Sequence, residues 1–243
     1  MTELLYQDDY LIAVNKPAGV TVHPTALDRS GSKTLLHLVR DHIKRPIFPV
    51  HRLDRSVSGI LVFALDRSTA RGLAEGFASH AVKKTYLAVV RGYTEEEGVV
   101  DYPLSEEWPA WVNKPSREQA AVTAYQRLAV RELPVAVSTF PTTRYSLVSV
   151  TPKTGRRHQI RRHLAHLRHP IIGDVKHGEG RHNRFFRERF GCHRLLLAAV
   201  ELSFAHPVRH QHLTLTARLD AAFKHVIDEL CWAPVIPKRW MAP

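Results

Sequence analysis

Apolar and polar positions change period several times along the chain, and each change marks an element. Leu4-Leu5-Tyr6 and Tyr10–Val14 are short apolar runs on either side of Gln7-Asp8-Asp9, which predicts a β-hairpin. It ends in the turn Asn15-Lys16-Pro17-Ala18-Gly19, and His23–Lys33, with Gly31, reads as a loop. Leu35, Val39 and Ile43 then recur at helical spacing behind Ser32 and Thr34, either of which can cap the start; Pro46 and Pro49 stop the helix. Ile60–Leu65 is an unbroken apolar run with the length of a buried strand. Ser68 can cap a helix with the stripe Ala70, Leu73 and Phe77, ending near His80. Lys83–Gly92 is a strand with two lysines at its start.

The second half carries the same kinds of signal. Residues 105–120 hold two prolines, two tryptophans and no period, which predicts a loop insertion. Strand-like runs return at Ala121–Val130, Val135–Thr139 and Arg144–Thr151. Pro152–Gly155 makes a turn into a helix whose apolar face is Ile160, Leu164 and Leu167. Leu195–Phe204 and Leu213–Leu219 are strand-like, Asp220 can cap a last helix through Leu230, and the Pro-rich tail 233–243 is expected to wrap the surface. No shift in composition marks a boundary, so the expectation is a single domain over 1–243.

Charge changes this picture more than composition does. Lys and Arg outnumber Asp and Glu by 35 to 23, a net charge of +12, which points to a polyanionic partner, nucleic acid before an anionic membrane surface. No apolar stretch is long enough to span a bilayer and the start, MTELLYQDDY, is polar and acidic, so a soluble, cytoplasmic protein is expected. Cys192 and Cys231 are too few for a disulfide framework. The 16 histidines raise the question of zinc, but neither His158, His163, His166 and His169 nor His206, His210 and His212 has a recognised ligand spacing; no metal is expected.

Candidate chemistry gathers at two places. His51-Arg52-Leu53-Asp54-Arg55 sets a carboxylate between two guanidinium groups in the turn that feeds the Ile60–Leu65 strand. An isolated Asp–Arg pair of this kind is most often a surface ion pair, whereas one held beside a rigid element can do chemistry. Around the Ile160 helix, Arg156, Arg157, Arg161, Arg162 and Arg168 form a basic cluster suited to phosphate. Lys16, Lys83 and Lys84 are further candidates at strand ends.

Four motifs in order, NKPAGV at Asn15–Val20, HRLDRSVSG at His51–Gly59, KKTYLAVVRG at Lys83–Gly92 and TGRRHQIRRHL at Thr154–Leu164, resemble the RluA family of pseudouridine synthases. PTTRYSLV at Pro141–Val148 and the run from Pro152 through RRHLAHLRHPIIGDVKHG look most like its tRNA-acting members, which modify an acceptor-stem uridine. The resemblance implies an α+β catalytic fold, a large, mostly antiparallel mixed sheet flanked by helices, with a central cleft joining Asp54, Tyr86 and Arg161. It gives Asp54 the role of catalytic aspartate, Tyr86 that of active-site tyrosine, Arg161 that of the arginine pairing with the aspartate, and Arg52 that of displacing the target base. Arg55 holds the loop or a phosphate, and Lys16, Lys83, Lys84, Arg156, Arg157 and Arg162 are the expected RNA contacts. Val57 stands where the family often has threonine, and the small S4 RNA-binding domain of some relatives has no counterpart, so RNA binding is expected to rest on the catalytic domain.

The residue types suit that chemistry. Moving uracil from an N1 to a C5 linkage on C1′ consumes no water, so one carboxylate suffices where glycoside hydrolases need two. Asp54 can attack C1′ as nucleophile or take a proton from C2′ to give a glycal, and both routes stay open. Arg161 is expected to keep Asp54 ionised, and Tyr86 to stack on the flipped uracil and receive the C5 proton. No cofactor, membrane or obligate protein partner is implied; RNA, most of all tRNA, is the expected partner of a monomer. The alternatives are a ribosomal RNA pseudouridine synthase of the same family, an RNA-binding protein that keeps the fold without the chemistry, and, more remotely, a glycosylase.

Overall fold

The computed structural model describes residues 2–23, 33–107 and 115–241. In chain order its elements are β1 (Glu3–Gln7), β2 (Leu11–Lys16), α1 (Leu35–Ile43), β3 (Phe48–Pro49), β4 (Ser58–Ala64), α2 (Arg67–Ala78), β5 (Lys83–Arg91), β6 (Glu97–Asp101), β7 (Leu104–Ser105) and β8 (Glu118–Gln119). They continue with β9 (Val122–Leu133), β10 (Thr143–Pro152), α3 (Gln159–His166), α4 (Gly180–Phe190), β11 (Leu197–Ala205), β12 (His212–Thr216) and α5 (Ala221–Glu229), followed by two 3₁₀ turns. The class is α+β. Two compact units divide the chain, one of Met1–Lys84, Leu197–His225 and Ile236–Pro243, the other of Thr85–Leu196 and Val226–Val235. Composition gives no sign of this division, because each unit is assembled from separated stretches. Among the described residues no helix is long and apolar enough to cross a membrane.

In the first unit the sheet runs β1-β2-β4-β11, with β12 on β11 and β3 on β4. The expected hairpin is β1 against β2. All seven residues of β4 are buried, which is why its sequence is nearly continuous apolar rather than alternating. Leu11, Ile60, Val62, Leu73, Leu202 and Phe204 form one core cluster, each contributing roughly 1.5–3 kcal/mol of burial. The β4–β11 pairing is parallel, with Ala198 opposite Ser58 and Ala199 opposite Gly59. Gly59 has φ +117°, and a Cβ there would lie 2.1 Å from the Ala199 carbonyl oxygen, so only glycine allows the two strands to meet.

Helix starts differ in detail from expectation. Thr34 caps α1, whereas Ser32 lies outside the described residues, as do residues 24–32 of the expected loop. Asp66, not Ser68, caps α2: its carboxylate accepts from the Thr69 amide at 2.8 Å and from the Ser68 hydroxyl at 2.6 Å. A carboxylate is the stronger acceptor, and the hydroxyl becomes its donor. Asp220 caps α5 as expected, through the Phe223 amide.

In the second unit the sheet order is β5-β10-β9-β6, all antiparallel. Val135–Thr139, expected as a strand, is instead the bend between β9 and β10. Pro134 and Pro141 flank it, Val135 is exposed, and among the described residues it joins no strand ladder. The 105–120 stretch begins and ends in the short β7–β8 pair; residues 108–114 lie outside the described residues. Helix α4, which the apolar pattern does not reveal, buries His182, Phe186 and Phe190 at four-residue spacing. Tyr145 is fully buried against it, its hydroxyl 2.8 Å from His182 Nδ1 and its ring edge-on to Phe186.

Candidate active site

Two of the motifs are joined within the first unit. The Gly19 amide donates to the Arg55 carbonyl at 2.8 Å, and Arg55 Nε donates back to the Gly19 carbonyl at 2.9 Å. Lys16 Nζ donates to the carbonyls of Pro17, Val20 and Arg55, at 2.9, 2.8 and 3.1 Å. The loop carrying Asp54 is thereby fastened to the Asn15–Gly19 turn, and the Asp54 carbonyl accepts from the Val57 amide at 3.1 Å to close it. Asp54 itself is half-buried. Lys16 corrects an expectation: it has no exposed surface, and its ammonium is engaged by backbone oxygens, so it holds the loop rather than a phosphate.

His51 supports the same loop. Its Nε2 accepts the Val62 amide at 3.0 Å, and its ring stacks on Phe77 at 4.6 Å between centroids. Strand β4 has β11 at its start and β3 at its end on this edge, and the imidazole takes the Val62 amide between them. Accepting that bond requires Nε2 to be unprotonated. Burial, and then the charge of Lys84, push the His51 pKa down to about 3, so the ring is neutral at ordinary pH.

In the second unit Tyr86 stands on β5 opposite Val150 of β10, half-buried. Arg161, on the first turn of α3, is buried and forks onto Asp174, with Nε to Oδ2 at 2.7 Å and Nη2 to Oδ1 at 2.8 Å. Burial raises the Asp174 pKa, but bonds from Arg161 and from the His177 and Lys176 amides outweigh it and leave the carboxyl below its usual range. Asn183 secures the turn, accepting from the Gly173 amide and donating to the Asp174 carbonyl. Gly173 has φ +80°, and a Cβ would meet the Arg194 carbonyl oxygen at 1.9 Å. The resemblance gives Arg161 a partner in Asp54; the carboxylate that holds it within its own unit is Asp174. Apolar periodicity carries no trace of Asp174, and the only signal is its place after Gly173 in IIGDVKHG.

The remaining cations divide by what they touch. Arg156 Nε donates to the Ala120 carbonyl at 3.0 Å, Arg157 Nη1 to that of Glu107 at 2.9 Å, and Arg162 Nη1 to that of Ser105 at 2.8 Å. The basic start of α3 therefore clasps both ends of the 105–120 stretch. Arg52 and Lys83 are exposed; Lys84 is half-buried, and burial lowers its pKa. Glu107 also faces Lys176 Nζ at 2.6 Å and His158 Nδ1 at 3.2 Å, a grouping of residues far apart in sequence.

Comparison with known proteins identifies the family to which this α+β chain and its motifs belong. The profile of the RNA pseudouridylate synthases matches residues 10–166, and the chain belongs to that family of isomerases. The tRNA pseudouridine synthase C of Vibrio cholerae is 50% identical over 236 residues, covering 96% of this chain and 97% of the relative. That of Salmonella typhi is 48% identical over 241 residues, covering 98% and 93%. Among solved structures, human RNA pseudouridylate synthase domain containing 4 superposes with a TM-score of 0.70 at 27% identity, over 94% of this chain and 93% of the other.

Proposed function

We propose that this protein converts a uridine of tRNA, in the acceptor stem, to pseudouridine, with Asp54 as the essential carboxylate. The observation that carries the tRNA assignment is 50% identity, across nearly the whole of both chains, to a tRNA pseudouridine synthase C. The N1–C1′ bond breaks, the uracil turns, C5 bonds to C1′, and the C5 proton leaves while N1 regains one; no water enters. Asp54 is either the nucleophile at C1′ or the base at C2′. Arg161 stabilises the ionised carboxylate, and its fork on Asp174 keeps the guanidinium in one orientation. Tyr86 stacks on the base and relays the C5 proton, its hydroxyl accepting that proton as it gives up its own, while Arg52, exposed beside Asp54, fills the stack the base vacates.

Tritium release from C5-labelled uridine in tRNA tests the proposal. Asp54→Asn is expected to lose at least about a thousandfold in rate while still binding tRNA. Full activity in that variant refutes the role of Asp54. Base-resolution mapping in a deletion strain tests the substrate, since loss of a ribosomal pseudouridine with tRNA unchanged refutes the tRNA assignment.

A further inference from the structure

We propose that Glu107, His158 and His177 bind a zinc-class divalent ion that locks the β7–β8 pair onto the start of α3. His158 Nδ1 lies 3.0 Å from His177 Nε2 and 3.2 Å from Glu107 Oε2, and His177 Nε2 lies 4.0 Å from Glu107 Oε1. One donor atom from each residue falls within 4.8 Å of the other two. Tetrahedral zinc, with bonds of about 2.0–2.2 Å to nitrogen and oxygen, separates neighbouring donors by roughly 3.3 Å. The nitrogen pair and the His158–Glu107 Oε2 distance are near that spacing, while the carboxylate stands farther from His177, its Oε1 at 4.0 Å, and must turn towards that ring to complete one face of the polyhedron. Two imidazoles and a carboxylate suit zinc, cobalt or nickel; magnesium and calcium prefer oxygen alone.

The surroundings support a built site. Two ring nitrogens 3.0 Å apart share a single proton, so at least one of them is already an unprotonated donor of the kind a metal takes. The side chains of His158, His177 and Glu107 are 12%, 15% and 20% exposed, which shields the ion yet leaves a path for it and for a water as fourth ligand. Asp174 accepts the backbone amides of Lys176 and His177, both at 2.9 Å, and so fixes the turn that presents His177. Lys176 Nζ, 2.6 Å from Glu107 Oε2, is the nearest cation with which a metal competes, with Arg157 Nε farther off at 4.0 Å; the Lys176 side chain is half exposed and can swing away.

The ion would tie three separated segments together: Glu107 beyond β7, His158 ahead of α3, and the turn behind Asp174. It would therefore brace the helix that carries Arg161. Cobalt titration of the full chain tests this by the visible absorption of tetrahedral Co²⁺, and calorimetry with Zn²⁺ counts sites. One equivalent is expected, with a rise in melting temperature. Glu107→Gln and His177→Ala should each weaken binding by about tenfold or more. Lys176→Met, which removes the nearest competing cation, should tighten it several-fold. Binding that survives both ligand substitutions belongs to other histidines and overturns the proposal, as does the absence of saturable binding. The three variants include one that leaves all the ligands in place, so a folding defect in another cannot pass for a lost site.

Discussion

Lowering the pH from about 7 to about 5 should destabilise the fold through His51 by about 2 kcal/mol. The ring is neutral in the folded state because Nε2 accepts the Val62 amide, with Phe77 stacked on it and the Lys84 charge disfavouring a proton. Its ordinary pKa is 6.5 and its folded pKa about 3. With the folded value depressed, the unfolded chain binds the proton first, so stability is complete above the unfolded pKa and falls as pH drops from there towards the folded one. Between about pH 7 and about pH 5 the loss comes to about 2 kcal/mol, from about 1.4 kcal/mol per unit below the unfolded pKa. The figure is insensitive to the folded pKa, since any value below about 4 leaves the ring neutral throughout that window. Denaturant unfolding of the wild type and of His51→Gln at both pH values measures it. The glutamine variant should be less stable near neutrality but should lack that share of the pH dependence, while the other buried histidines contribute equally to both proteins. Equal pH dependence in the two proteins would refute the assignment of a neutral, accepting imidazole.

Three other substitutions probe the braces of the site. Gly59→Ala places a Cβ 2.1 Å from the Ala199 oxygen at φ +117° and should cost at least about 3 kcal/mol in chemical unfolding; a near-neutral effect would show that β4 and β11 can part. Asp174→Asn breaks a buried ion pair from one side, for a loss of roughly 3–5 kcal/mol, and frees the orientation of Arg161, so kcat should fall even well below the melting temperature. Lys16→Met should lower stability by roughly 2–3 kcal/mol without altering the salt dependence of tRNA binding, whereas Arg52→Gln should reduce the log–log salt slope by about 0.9. A reduced slope in the lysine variant would return Lys16 to the RNA surface.

Elements whose burial is written as a run or a stripe were legible in the sequence. The hairpin β1–β2, the wholly buried β4, the stripes of α1, α2 and α3, and the Asp220 cap all follow from period and local chemistry. Helix α4 was not legible, because Phe186 and Phe190 are set among the charges of GRHNRFFRERF, and its apolar face packs on Tyr145 from β10, distant in sequence. Val135–Thr139 failed for the converse reason: its apolar residues have strand character but no pairing partner among the described residues. The candidate site divides in the same way. Asp54, Tyr86 and Arg161 could be picked out through motifs, but Asp174, Glu107 and the support of His51 depend on which backbone and side chains meet in space.

The cations make the clearest case for why charge alone misleads. A surplus of 12 positive charges invites the reading that each arginine or lysine near a motif is an RNA ligand. Lys16 is wholly committed to three carbonyls, and Arg55, Arg156, Arg157 and Arg162 each give a guanidinium N–H to the backbone. A guanidinium has further donors after making one such bond, whereas an ammonium held by three oxygens has none. The four arginines can therefore brace a loop and still face a phosphate, and the buried lysine cannot. Which basic residues serve the RNA is decided by the donors left over once the fold has been satisfied.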